Sequence, residues 1–222
     1  MEFVSYHLAD ASQCIMVDGQ LTGAFPLSHW RGSNIHSHLA DDTSAAIVLN
    51  AIQQQIPQLN LAQVTANHYD IDGLVGVWSL LHPEEAIKFD VLLRHIALIG
   101  DFREVDSDNP QSLQALKIVL ALNRLEKELF YPPFGEKQEA DACVAKFQTF
   151  IPEFTAFLHD TDAYNQWKLD WEETLHGIAM AKQATVKHLS SIRLTVIELA
   201  EPLPYYAFTW LAKDSDMILT IY

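Results

Sequence analysis

The sequence predicts an α/β fold with a layered sheet and a large helical half, on three observations. Strand-like segments alternate with a helix over residues 1–82, helical periodicity fills 83–190, and β-branched runs return at 191–222. The three stretches read as an α/β metal-binding region, a helical region and C-terminal strands of one compact domain.

In order, Phe3 to His7, Cys14 to Val17 and Leu61 to Asn67 read as strands, with a helix from Thr43 to Gln55 between the last two. Gly73 offers a sharp reversal, and Leu74 to Leu81 reads as a buried helix leaving it. Pro83 opens a helix carrying Ile87, Val91, Leu92, His95 and Ile99 at helical spacing, stopped by Gly100. Pro110 opens another, which Pro132 and Pro133 end. A third carries Phe147, Ile151, Phe154 and Leu158, with Pro152 bending or splitting it. The helical pattern then repeats from Asp162 to His188 around Trp167, Trp171 and Leu175. Arg193 to Leu199, Tyr205 to Leu211 and Met217 to Tyr222 read as strands that join the first sheet or form a second.

A hydrophobic share of 49% in 222 residues is ample for a packed interior. The net charge of -15 repels a phosphate backbone over a Debye length of about 8 Å, which argues against a long nucleic acid as partner. A small phosphorylated substrate stays compatible, because bound divalent ions reverse the local field. Cys14 and Cys143 are too few for a disulfide framework, so a reducing cytoplasm is expected. No run of 18 apolar residues exists, and residues 1–10 lack a basic region before an apolar core. Neither a membrane span nor a secretory signal is expected.

The chemistry concentrates in Asn67-His68-Tyr69-Asp70-Ile71-Asp72-Gly73, where a strand ends. His68, Asp70 and Asp72 alternate, and on an extended backbone alternate side chains converge, as the ligands of a divalent cation must. The competing reading is an acidic turn in which Asp caps the next helix. An EF-hand loop is excluded, since its first position would be His68 and its twelfth Ser79. Imidazole among the ligands suits manganese, iron or zinc. Asp18 before Gly19 and Asp101 after Gly100 are further candidate carboxylates, each equally readable as a turn or loop acid. His36-Ser37-His38 beside Asp41-Asp42 forms a second cluster, with helix capping by Asp42 as its alternative. Arg31, next to His29, suits an anion clamp. Neither a Gly-x-Ser-x-Gly elbow nor a Gly-rich phosphate loop occurs.

His68-Tyr69-Asp70-Ile71-Asp72-Gly73 resembles the first metal motif of the DHH superfamily of phosphoesterases, with His68 where single-strand exonucleases carry Asp. The Asp-His-His triplet of that superfamily is missing. Cys14 to Gly19, Leu27 to Gly32 and Asp41 to Ala46 resemble its later motifs in order but precede the first, so the resemblance implies a circularly permuted DHH-like domain. The combination also resembles an uncharacterised bacterial family of unknown function. The DHH resemblance implies a metal-dependent phosphoesterase-like hydrolase, using Mn2+, on a small phosphoester or short nucleotide. His68, Asp70 and Asp72 would hold metal, Asp18 or Asp101 would bridge a second ion, and His29, Arg31 and His36 would contact phosphate. A non-catalytic binding or assembly module is the alternative.

Overall fold

The computed structural model describes residues 1–130, 139–160, 168–212 and 215–222, as an α/β protein with two sheets and seven α-helices among them. The first sheet comprises β1 (Glu2–Phe3), β2 (Cys14–Val17), β3 (Phe25–Leu27) and β4 (Gln63–Thr65), wholly parallel and ordered β1-β4-β2-β3. Ile15 of β2 lies between Val64 of β4 and Phe25 of β3. All four residues of β2 are fully buried, as expected for a parallel strand covered on both faces. Because parallel strands point the same way, the loops leaving β2, β3 and β4 emerge together at one rim.

Helices α1 (Ser44–Gln54) and α2 (Ile71–Leu81) pack on each other and on β2. Thr43 caps α1 by accepting from Ala46 N at 3.2 Å, and Asp70 caps α2 by accepting from Gly73 N at 2.7 Å. Outside them lie α3 (Pro83–Lys88), α4 (Asp90–Phe102), α5 (Pro110–Phe130), α6 (Glu139–His159) and α7 (Lys168–Ala181). Trp78 of α2 is buried edge-on against Phe154, and its Nε1 donates to Thr155 Oγ1 at 2.8 Å. Phe147, Phe150, Phe154 and Phe157 form the buried stripe of α6.

The second sheet is ordered β5-β6-β7, from β5 (Thr185–Leu189), β6 (Leu194–Glu198) and β7 (Met217–Ile221), antiparallel then parallel. A smaller core of Ala181, Ile197, Leu199 and Phe208 lies with it.

Several expectations are corrected. Helix α2 begins at Ile71, so Gly73 lies inside its first turn and makes no reversal. The Pro83 helix breaks at Phe89, and Ile87 and Val91 are exposed at 56% and 54%, because the break rotates them off the core face. Pro152 does not split helix α6: buried phenylalanines on both sides outweigh an interior proline's cost of about 3 kcal/mol. Helix α7 ends at Ala181, and Thr185 to Leu189, expected as helix, is strand β5. Tyr205 to Leu211 forms 3-10 turns, since prolines 202 and 204 force a curved path there. The first strand covers only Glu2–Phe3, and β3 had no counterpart in the sequence reading. Pro132, Pro133, Asp162 and Trp167 lie outside the described residues.

Candidate metal centre

Asp18 follows β2 directly, is 1% exposed, and adopts a left-handed backbone with φ 47°, a conformation Asp tolerates better than most residues. Gly19 makes the next step possible: a Cβ there would fall 2.6 Å from Asn67 Oδ1. The β2 and β4 loops thereby touch. Asp18 Oδ2 lies 3.1 Å from His68 Nε2, which is also 3.3 Å from Asp70 Oδ2. Asp18 Oδ1 faces the other way, accepting from Ser44 Oγ at 2.8 Å and Trp30 Nε1 at 3.0 Å, with His29 Nε2 at 3.3 Å.

Both imidazoles are held in the same manner. His68 Nδ1 lies 2.9 Å from Asn67 Oδ1, and His29 Nδ1 lies 2.8 Å from the Asp42 carbonyl oxygen. With Nδ1–H donating to each of these oxygens, Nε2 is the ring atom turned toward the carboxylates. That is how histidines that ligate metals are oriented.

Asp72 is 1% exposed in the first turn of α2, and its two oxygens accept from Ser44 N at 2.8 Å and Ala45 N at 2.9 Å. It therefore joins the start of α1 to the start of α2, satisfying two helix N–H groups. Asp101 comes from the last turn of α4, one residue after Gly100, where a Cβ would fall 2.6 Å from Ile71 Cβ. That close approach brings Asp101 Oδ2 to 3.7 Å from His29 Nε2. Asp101 Oδ2 is buried and accepts no hydrogen bond from the described residues.

The charges respond to this crowding. Hydrogen bonds to Asp18 and Asp70 push the His68 imidazole up to about 10 against the cost of burial. Burial favours the neutral Asp18 carboxyl, but His68, Ser44 and His29 outweigh it and hold the group below its ordinary value. Burial, then the neighbouring Asp18 charge, pushes Asp72 well up, and burial raises Asp101.

Asp18, His68 and Asp70 form one group that can hold a metal ion, and Asp18, His29 and Asp72 a second, each with ligand atoms within 4.8 Å of one another. Asp18 belongs to both. The donor set of carboxylate oxygens and imidazole nitrogens, with a buried Asp101 oxygen lacking a donor, fits a divalent cation. The structure thus brings together His29, His68, Asp18, Asp70, Asp72 and Asp101.

It does not bring in Arg31 or His36. Both are exposed, and His36 stacks on His38 with centroids 5.4 Å apart. Among the described residues no hydrogen bond or ion pair joins either side chain to the cluster. Once Trp30 seats its ring 5.5 Å from His68, Gly32, at φ 92°, turns the chain outward. Sequence reasoning missed Ser44, Asn67 and Trp30 as site residues; the Ser and Trp beside the Asp and His motifs were the available signal.

No curated protein and no solved structure matches this chain. Residues 1–222 match the Family of unknown function (DUF6687), and the chain belongs to that family.

Proposed function

We propose that this protein is a metal-dependent phosphoesterase-like hydrolase of the reducing cytoplasm, using Mn2+ on a small phosphoester or short nucleotide. One observation carries the reading: six acidic and imidazole side chains from separate chain segments meet at the rim where parallel strands end. Open α/β sheets generally hold ligands at that rim. The buried free thiols of Cys14 and Cys143 suit the compartment.

Asp18, His68 and Asp70 would hold one ion and Asp18, His29 and Asp72 a second, which would lower the pKa of bound water from about 15.7 toward about 7 and neutralise phosphate charge. The chain's own groups prepare that chemistry. Asn67 and the Asp42 carbonyl fix the two imidazoles, Ser44 and Trp30 fix Asp18, and the α1 N–H groups fix Asp72. The phosphate role of Arg31 and His36 rests on sequence adjacency alone. The convergence of Asp18 and His29 with Asp70 and Asp72 also supports a circularly permuted DHH-like arrangement, in which the later motifs come first along the chain.

A second reading is a non-catalytic binding or assembly module with a single ion. It is favoured by Asp72, whose two oxygens already serve the α1 N-terminus. Metal analysis after manganese loading, beside a phosphoester screen, separates the two. Two ions per chain with turnover that vanishes in Asp70→Asn supports the hydrolase. One ion without turnover supports the module, and no ion, or turnover that survives Asp18→Asn with Asp70→Asn, overturns the site.

A further inference from the structure

A cavity of about 750 Å³ opens between the end of α4 and the second sheet. Phe102, Arg103, Arg193, Tyr205 and Tyr222 are among the residues that line it. Its volume lies within the range of small-molecule sites. Two of the chain's five arginines line this one space in a protein of net charge -15. Both sit at left-handed backbone positions, φ 62° for Arg103 and 49° for Arg193. Each is a C-cap, Arg103 closing α4 and Arg193 closing the 3-10 turn at Ser190–Ile192, so both side chains leave from fixed helix ends.

The two cations are differently engaged. Arg193 Nε pairs with Asp216 Oδ2 at 2.6 Å. Arg103 forms no ion pair among the described residues: its Nη1 donates to the Asp101 carbonyl at 3.3 Å, and its guanidinium lies 6.0 Å over the Tyr206 ring. Stacking and one neutral acceptor hold the guanidinium in place and leave N–H donors for an anion. An arginine fixed in this way recognises a carboxylate or phosphate bidentately. Tyr205, exposed at 54%, and Tyr222, exposed at 64%, offer ring faces in the same space.

The cavity also communicates with the metal centre. Phe102 lines it and stands edge-on to His29, centroids 6.1 Å apart, and Asp101 immediately precedes Phe102. Glu104 and Asp216 also line the walls, so the field is mixed rather than uniformly positive. A bare polyanion is disfavoured there. A compact ligand with one anionic group and one flat apolar group fits both kinds of wall.

We propose that this cavity binds a small aromatic anion, with its carboxylate or phosphate on Arg103 and its ring among Phe102, Tyr205 and Tyr222. The site does not depend on hydrolysis or on a metal at the rim. Titration calorimetry in chelator, with the full chain, tests it using phenyl phosphate and benzoate, and inorganic phosphate and phenol as half-probes. Phenyl phosphate or benzoate is expected to bind at least about tenfold tighter than either half-probe. Arg103→Gln should weaken binding about tenfold and Tyr205→Ala by several-fold, while Asp70→Asn leaves it unchanged. Whichever of the two anions binds tighter identifies the headgroup. Chemical shifts assigned to Arg103, Phe102 and Tyr222 should move on titration, a readout that survives a poorly folding variant. No binding by either aromatic anion overturns the proposal. So does binding that Asp70→Asn abolishes but Arg103→Gln and Tyr205→Ala leave intact, which would place the ligand at the metal centre instead.

Discussion

The two sheets of this protein differ in what surrounds them. Strand β2 is covered on both faces, with four consecutive side chains shut away from solvent, whereas β7 alternates and leaves Met217, Leu219 and Ile221 exposed at 51%, 50% and 45%. Every cluster residue leaves the first sheet or the helices packed around it; none comes from β5, β6 or β7. A coordination sphere tolerates errors of only about 0.5 Å, and rigid, doubly covered elements supply that precision. The second sheet instead offers one half-open wall, suited to a cavity.

The contrast can be broken most directly at the core. Trp78→Ala is expected to cost about 3–5 kcal/mol in urea unfolding, because it empties a large buried volume and removes the indole donor to Thr155 Oγ1. Leu219→Ala should change stability by less than about 0.5 kcal/mol. Equal losses would mean that the outer face of β7 is packed as tightly as the helical core that covers the first sheet.

Next in size is Asn67→Ala, which removes the acceptor that orients His68. It should lower manganese affinity about 10–100-fold, measured by competition with a chelating dye, with little change in fold. Asp72→Ala sharpens the same point from the protein side. Losing the acceptor for two α1 N–H groups should cost about 1–2 kcal/mol even without metal, read by thermal unfolding in chelator.

The same contrast can be sharpened through pH dependence. His68 is raised from an ordinary 6.5 to about 10 in the folded chain, so its stabilisation is complete below 6.5 and drains away as pH climbs through 10. Asp18, held below its ordinary value, acts in the opposite direction: its contribution is present above that value and lost as acid protonates the folded form. Metal-free melting temperature should therefore fall between neutrality and about pH 10, and fall less steeply in His68→Gln.

The site was more legible in the sequence than its framework. His68, Asp70 and Asp72 were readable because acids and imidazole at a strand end are costly to bring together without a purpose. The geometry that unites them was misassigned. Alternation along an extended backbone is not what gathers them: Asp70 caps α2 and Asp72 stands within its first turn, so convergence comes from a helix start. Strand β3 was hidden by Pro26, which argues against a central strand; the sheet order makes β3 an edge, where a missing N–H is tolerated. Ser44 was obscured because an early helical serine is commonplace, and only the fold carries it to Asp18 from 26 residues away. Strand β5 was read as helix because Lys187 and His188 continue a polar pattern; cross-strand pairing with β6 decided it.

The half-exposed ring of Trp30 shares an oxygen of Asp18 with everything else that competes for it. Any guest at the rim must renegotiate that bond, so the indole doubles as an optical gauge. Among the described tryptophans, Trp30 is the one bonded to the cluster, and its emission should register filling and emptying of the centre.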